Sequence, residues 1–345
     1  MIINRHSTIA HAAYHDLLAS LKDEAVSAVQ GTPTKVNRNG KAYWYDSYRI
    51  GAAVKKTYIG EDTAELQDRL ARRDTLREEA AGRAENRTRL IRILRAEGFL
   101  RLDAGTGSLL SAMARAGVFR LGGTIVGTHA FRLYEGELGI RYGFEQTAQT
   151  RDMDIASFER LSLALEDTVS PPLINVFRDF DFDPVPSLQN ESVWRWKQTQ
   201  RELMVEFLTP SFEPDETIRP LAALGVNAHS LHHLNYLIEN PILAAVPYRS
   251  GVLVQIPQPE RFVIHKLIVS DRRRAGDRIK AAKDRAQAAF LIPMLAEDRP
   301  GELAEAYRIA FDSGPRWRAR MDASLERMPE VRATLEGLLN LLIGA

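Results

Sequence analysis

Two aspartates with a single residue between them, Asp152 and Asp154, constrain the fold of this chain more than any other feature. They alternate with Met153 and Ile155, so a β-strand here has one apolar face and one face that presents both acids. The rise along a strand separates the two α-carbons by about 6.6 Å, which lets both carboxylates reach a pair of metal ions. The pattern predicts a half-buried strand with an acidic, metal-binding face.

Two further features belong with these aspartates. Glu206 lies inside the apolar run 203–208, where a carboxylate is costly to bury unless a cation or a hydrogen-bond network satisfies it. Gly127 and Thr128 follow the strand-like run 124–126. If a strand ends and a helix begins there, free backbone N–H groups and a hydroxyl would bind phosphate. Carboxylate oxygens and phosphate suit Mg²⁺, so the combination indicates metal-assisted phosphoryl transfer.

Composition sets wider limits on the protein. The 345 residues are 45% hydrophobic, which allows about two domains at roughly 150 residues each. With 46 basic and 45 acidic residues, the overall charge does not predict a polyanion-binding protein. The absence of cysteine excludes disulfides, thiolate zinc sites and a cysteine nucleophile. With no signal peptide and no apolar stretch long enough to cross a bilayer, we expect a cytoplasmic protein without membrane contact.

Hydrophobic periodicity predicts an N-terminal helix at 8–29 and a meander of three short strands at 43–45, 48–50 and 54–59. The charged stretch 62–97 predicts a long exposed helix, or a helical pair broken near Gly82. Central strands are predicted at 124–126, 152–156, 193–197, 203–208 and 252–256. C-terminal helices are predicted at 262–270, 280–295, 303–311 and 324–342.

These patterns divide the chain into four predicted parts. The N-terminal helix and meander occupy 1–62, and a helical connector occupies 63–118. A central domain with a mixed sheet spans 119–258, and a helical domain spans 259–345. The predicted fold class is therefore α+β, with helices flanking the sheet.

Segments 126–130, 150–156, 205–210 and 259–267 carry a family resemblance. A Gly-Thr near a helix start, an Asp-x-Asp strand and a third acid on a later strand resemble the DNA polymerase β-type nucleotidyltransferase superfamily. More closely, the segments resemble a poorly characterised bacterial family with the nucleotidyltransferase fold. The resemblance extends over roughly residues 90–330.

The resemblance implies a role for each motif residue. Gly127 and Thr128 would hold the phosphates of a nucleoside triphosphate (NTP). Asp152 and Asp154 would bind Mg²⁺ or Mn²⁺. Glu206 would join the metal site and help to activate an acceptor hydroxyl. The implied reaction transfers a nucleoside monophosphate (NMP) and releases pyrophosphate.

Two cationic residues are further candidates. Toxin-like nucleotidyltransferases of the abortive-infection type have a helical lysine and a later basic–acidic pair near the nucleotide, which Lys266 and the pair Lys283-Asp284 resemble. Lys266 is therefore a candidate triphosphate contact, the alternative being a surface lysine that covers apolar surface with its stem. Arg151 would bind the triphosphate or pair with the neighbouring aspartates. The run 272–274 is predicted as a solvated face, with an RNA backbone as the alternative partner.

Aromatic and histidine residues suggest weaker alternatives. We expect Trp194 and Trp196 to pack in the sheet rather than to stack on bases. The three histidines of 229–233 are predicted as surface residues rather than a zinc site. His129, next to the phosphate turn, would either contact a phosphate or the acceptor, or pack in the core.

Two hypotheses of different classes follow. The first is a metal-dependent nucleotidyltransferase that transfers NMP from an NTP to a hydroxyl of RNA, protein or a small molecule. The second is a catalytically silent protein of the same fold with a binding or regulatory role. The three acids favour the first, whereas the long interval between Gly127 and Asp152 leaves the second open. The acceptor, the base and the oligomeric state are not determined by the sequence.

Overall fold

The computed structural model describes residues 4–29, 31–38, 40–50, 53–143, 152–159, 161, 167–185, 192–200 and 202–343. Within these residues the protein is a mixed α+β structure of thirteen α-helices and twelve β-strands. The predicted fold class is confirmed, including the N-terminal meander and the C-terminal helices. No helix in the described ranges combines the length and apolar character needed to cross a membrane.

The N-terminal part begins with the predicted helix. Helix α1 (Thr8–Ser27) follows Ser7, whose hydroxyl accepts the N–H of Ala10 at 3.1 Å. An antiparallel meander follows, made of β1 (Thr32–Arg38), β2 (Lys41–Ile50) and β3 (Ala53–Glu61).

The meander is confirmed, but its strand boundaries were predicted wrongly. Strand β2 contains both aromatic runs that the sequence assigned to separate strands, and the first strand is the polar segment at 32–38. An edge strand needs no continuous run of β-branched or aromatic residues, so the sequence of β1 did not indicate a strand.

The connector contains three helices: α2 (Ala64–Ala71), α3 (Arg73–Glu78) and α4 (Ala80–Ala96). The chain leaves helical structure at Arg72 and again at Glu79. The break predicted near Gly82 is therefore wrong in position, because this glycine lies inside α4. A single glycine in a helix costs only about 1 kcal/mol, which packing overcomes.

Helix α5 (Ala104–Ala116) precedes a seven-stranded sheet. Its strands are β4 (Thr124–Val126), β5 (Asp152–Ala156), β6 (Phe182–Pro184), β7 (Arg195–Gln198), β8 (Met204–Pro210), β9 (Ile218–Leu221) and β10 (Val226–Leu231). The main order is β4-β5-β8-β10-β9, with β5, β8 and β10 parallel and the two outer strands antiparallel. Strand β7 pairs with the first half of β8 and also with β6.

Helices α6 (Gly127–Leu138) and α7 (Leu173–Asp179) lie within this region of the chain, and α8 (Leu234–Ile238) follows the last sheet strand. Strands β11 (Ile242–Val246) and β12 (Val252–Ile256) then form a separate hairpin. The segment at 252–256 was predicted as a strand of the central sheet. It is a strand, but among the described residues its ladder partner is β11.

The C-terminal helices are α9 (Pro259–Arg272), α10 (Arg278–Asp298), α11 (Pro300–Asp312), α12 (Pro315–Leu325) and α13 (Pro329–Ile343). The single helix predicted at 324–342 is wrong, because α12 ends and α13 begins within that range. Proline, with its fixed φ, stands at the start of four of these five helices.

The N-terminal part packs on the rest of the protein instead of projecting from it. Tyr14 of α1 is buried, and its hydroxyl accepts a hydrogen bond from the N–H of Ala245 in β11 at 3.2 Å. The buried His6 ring lies 3.0 Å from the Glu135 carboxylate on α6. In the meander, the N–H of Tyr58 donates to Asp167 at 2.8 Å. Helix α1 and the meander are therefore both anchored to the central region.

Candidate active site

The central sheet places the three predicted acids side by side. Asp152 and Asp154 are partly exposed on one face of β5, while Met153 and Ile155 are fully buried on the other. The parallel register of β5 and β8 pairs Asp154 with Glu206, which is also partly exposed. Neighbouring residues on paired strands project to the same face, so these carboxylates share one edge of the site.

Burial and mutual repulsion disfavour the ionised forms of these acids. The pKa of Asp154 is raised to about 6, first by burial and then by the charge of Asp152. Burial also raises the pKa of Glu206 to about 7, with the charges of Asp154 and Asp152 as the next causes. Ionisation of Asp154 and Glu206 is therefore unfavourable in this site, and a nearby positive charge would offset that cost.

The predicted phosphate turn lies directly against this cluster. Gly127 has φ +65°, and a Cβ at this position would lie 2.6 Å from Asp154 Oδ2. Glycine is required here both by the backbone conformation and by the close approach of the carboxylate. Helix α6 begins at this residue, and no side chain caps its first turn. Its free N–H groups and the partly exposed Thr128 thus lie beside the acids.

Lys266 does not have the surroundings of a surface lysine. Its side chain on α9 is buried, and its Nζ donates to Asp284 Oδ1 of α10 at 2.5 Å. Arg273 donates to the other carboxylate oxygen of Asp284 at 3.1 Å. Although desolvation opposes ionisation, the two cations hold the pKa of Asp284 below its usual value. The alternative of a solvent-exposed lysine is therefore wrong, and Lys266 already has an anionic partner.

Two lysines on α10, Lys280 and Lys283, interact electrostatically with the acids. Burial lowers the pKa of the half-buried Lys283, as does the charge of Lys266, while Asp284, Asp152 and Asp154 act in the opposite direction. The charge of the exposed Lys280 favours ionisation of both Asp154 and Glu206. Both lysines of α10 therefore interact electrostatically with acids of the sheet.

Sequence reasoning missed two cations at this site. Lys280 is three residues before Lys283, and positions three apart share a helix face. This spacing could have indicated a cationic face on the predicted helix. Arg195 is opposite Glu206 in the antiparallel β7–β8 pairing, and its charge favours ionisation of that glutamate. Only the strand register relates these last two residues, so no local pattern could have found them.

The remaining predicted residues have varied positions. Arg151 lies outside the described residues. His129 is buried on α6, and its pKa is lowered to about 4, chiefly by burial. Trp196 is buried against Phe177, with ring centroids 4.8 Å apart, which is the expected sheet packing. Trp194 precedes β7 and packs on the His229 ring at 5.0 Å.

The histidines of 229–233 are not a helical cluster of surface side chains. His229 lies on β10, and His233 has the left-handed conformation before α8. His232 donates its backbone N–H to Glu216 at 2.9 Å, and burial lowers the pKa of both other histidines. The three side chains are half-buried, so the predicted surface position is wrong, because this segment is the end of a strand and the turn after it.

The acids suit a cation that is shared with a ligand. Within the described residues, no three histidine, cysteine, aspartate or glutamate side chains are placed to hold a metal ion by themselves. Mg²⁺ often takes only one or two protein carboxylates and completes its coordination with water and substrate phosphates. Asp154 and Glu206 lie on paired strands and offer hard oxygen donors, and a cation would offset the cost of ionising them, so they fit such an ion.

Comparison with known families agrees with this geometry. A sequence model for a family described as nucleotidyltransferase matches residues 104–312, more than half of the chain. The protein therefore belongs to this nucleotidyltransferase family. A second family model, for a domain of unknown function (DUF6788), matches residues 12–68, which include α1 and the meander. Searches among curated proteins and among solved structures gave no match.

Proposed function

We propose that the protein is a metal-dependent nucleotidyltransferase of the polymerase β type, which transfers NMP from an NTP to a hydroxyl acceptor. The observation that carries the proposal is the pairing of Asp154 with Glu206 on adjacent parallel strands, directly against the Gly127 turn. The family membership supports nucleotidyl transfer in general. The acceptor is RNA, protein or a small molecule.

Each part of the site has a task in this proposal. The free N–H groups at the start of α6 and the Thr128 hydroxyl donate to the triphosphate. Asp152, Asp154 and Glu206 would hold Mg²⁺ or Mn²⁺, which when bound would neutralise phosphate charge and activate the attacking oxygen. The predicted triphosphate contact of Lys266, and that of Arg151, remain part of this proposal.

The transfer itself is an exchange of phosphorus–oxygen bonds. The acceptor oxygen forms a bond to the α-phosphorus as the bond to the bridging oxygen of pyrophosphate breaks, and that electron pair leaves with pyrophosphate. The acceptor loses its proton, which a Glu206 carboxylate oxygen can accept.

The test is isothermal titration of each NTP, with Mg²⁺ or Mn²⁺, into the wild type and the Asp152→Asn/Asp154→Asn variant. We expect metal-dependent binding of at least one NTP by the wild type and its loss in the variant. Asp322→Asn is the matched control, because it removes an exposed carboxylate on α12. Absence of NTP binding by the folded wild type would reject the proposal and favour the silent binding protein.

A further inference from the structure

Two histidines of α1 bring their rings together on the surface of the helix. His11 and His15 are four residues apart, a spacing that places two side chains on the same helix face. Both residues are exposed, and their Nε2 atoms lie 2.9 Å apart, with the two ring planes at 88°. The two nitrogens therefore share one hydrogen bond, in which only one of them carries a proton.

This separation is close to that of two nitrogen ligands on one metal ion. Imidazole nitrogens bind Zn²⁺ at about 2.0–2.1 Å, so two of them at a tetrahedral angle lie ~3.3 Å apart. A small rotation of either exposed side chain would open the pair to that distance. Imidazole suits Zn²⁺, Cu²⁺ and Ni²⁺, whereas Mg²⁺ prefers oxygen ligands. The pair therefore differs in chemistry from the acids of the sheet.

The surroundings favour the neutral rings that a metal ion requires. Partial desolvation lowers the pKa of His11, and the charge of His15 lowers it further. Glu137, whose charge acts on His11, is already in an ion pair with Arg299 at 2.8 Å. Among the described residues no third histidine or carboxylate completes a ligand set. An ion at this position would have two protein ligands, with water in its remaining positions.

The histidine pair lies where α1 meets the end of α6. A Cβ on Gly139, the residue after α6, would lie 3.0 Å from His11 Cδ2, so the backbone passes directly beside this ring. Just before α1, the N–H of His6 donates to the Gly139 carbonyl at 2.9 Å. An ion that fixes the His11 ring would therefore strengthen a contact between α1 and the helix that begins at Gly127.

We propose that His11 and His15 form a site for a divalent transition metal, with Zn²⁺ as the ion that suits it, and that the bound ion holds α1 against the end of α6. The metal takes the place of the proton in the hydrogen bond between the rings. That proton moves from Nε2 to Nδ1 of its own ring, so both rings stay neutral. The site is separate from the carboxylates of the sheet and does not depend on the proposed function.

Isothermal titration of Zn²⁺ into the full chain tests the binding. The Asp152→Asn/Asp154→Asn background removes two acids of the sheet, and a large excess of Mg²⁺ occupies other oxygen sites. We expect one Zn²⁺ per chain under these conditions. Loss of an outer partner of a metal ligand typically costs about 10–100-fold in affinity, and loss of a ligand itself costs more. His15→Gln in this background should therefore weaken Zn²⁺ binding by at least about tenfold.

The matched control is Asp16→Asn in the same background. This variant removes an exposed charge next to His15, but adjacent residues of a helix do not face each other. Its affinity for Zn²⁺ should equal that of the parent protein. If His15→Gln binds Zn²⁺ as tightly as the parent, or if Asp16→Asn loses as much affinity as His15→Gln, the inference is overturned.

Hydrogen exchange tests the effect of the ion on α1. Because opening of this helix would separate the two ligands, Zn²⁺ at about ten times its Kd should slow exchange of the α1 amides about tenfold, by the factor 1 + [Zn²⁺]/Kd. His15→Gln should show no such slowing. Exchange in α1 that is unchanged when Zn²⁺ is bound would show that the ion does not hold the helix, and would overturn the proposed role.

Discussion

Carboxylates on the sheet and on the C-terminal helices have opposite surroundings in this protein. Asp154 and Glu206 lie beside another acid, and their pKa values are raised by burial and repulsion. Asp284 is more deeply buried, yet Lys266 and Arg273 keep its pKa low. Ion pairs within the chain thus compensate the charge of Asp284 at the helix junction. Ionisation of Asp154 and Glu206 is unfavourable unless a ligand supplies positive charge.

The largest expected change in stability comes from removing the charge of Asp284. Asp284→Asn should lower the free energy of unfolding by about 3–5 kcal/mol, because it leaves Lys266 as a buried charge without its full partner. Urea denaturation measures this change. The double variant Lys266→Met/Asp284→Leu is the control, and it should recover much of the loss because it removes both buried charges. A loss below about 1 kcal/mol for Asp284→Asn would contradict the structural role.

A smaller loss is expected where the sheet meets the phosphate turn. Gly127→Ala should lower the free energy of unfolding by about 2–3 kcal/mol, because its positive φ is strained for alanine and the new Cβ meets the Asp154 carboxylate. Gly82→Ala is the control. This glycine in α4 has no atom within 4 Å of an added Cβ, so alanine should be neutral or stabilise by up to about 1 kcal/mol.

Neutralising an acid on the sheet should instead raise the free energy of unfolding. The pKa of Asp154, about 6, lies above its usual 3.8, so ionisation of this group destabilises the folded protein as pH rises through that interval. In metal-free buffer near pH 8, Asp154→Asn should raise the free energy of unfolding by about 1–2 kcal/mol, allowing for partial exposure. Below about pH 4 the two proteins should be equally stable, since the carboxyl is protonated in both states.

Urea denaturation of both proteins across this pH range measures the difference. A gain that is as large at low pH as at high pH would show that packing, and not charge, separates the two proteins. A loss near pH 8 would mean that the Asp154 charge is compensated in the metal-free fold. Either result would remove the contrast with Asp284.

The smallest expected change in stability is the one caused by adding Mg²⁺. Mg²⁺ at about five times its Kd should stabilise the wild type by about 1 kcal/mol near pH 8, and by much less near pH 5, where protons compete for Asp154 and Glu206. Thermal melting with and without Mg²⁺ measures this. Asp284→Asn should keep the Mg²⁺ response if it remains folded, and Asp152→Asn/Asp154→Asn should lose it. A response retained by the latter variant would locate the cation elsewhere.

The sequence and the structure agree best where a local pattern carries the information. The strand at 152–156 was predicted with its observed bounds, because alternation of acids and apolar residues is a local property. The helix start at Gly127 was a condition of the predicted phosphate turn, and a helix does begin there. Strands β6, β9 and β10 were missed because they are short or largely polar, and their pairing with neighbours stabilises them more than their own composition does.

By itself, the sequence determined the α+β class, the acids and glycine that form the candidate site, and the position of that site on a strand. Only the tertiary structure decided that Glu206 is beside Asp154 and that Lys266 is bound to Asp284. The physical reason is the range of the interactions. Side-chain periodicity depends on neighbours in the chain, whereas strand register and charge compensation depend on groups that only folding brings together.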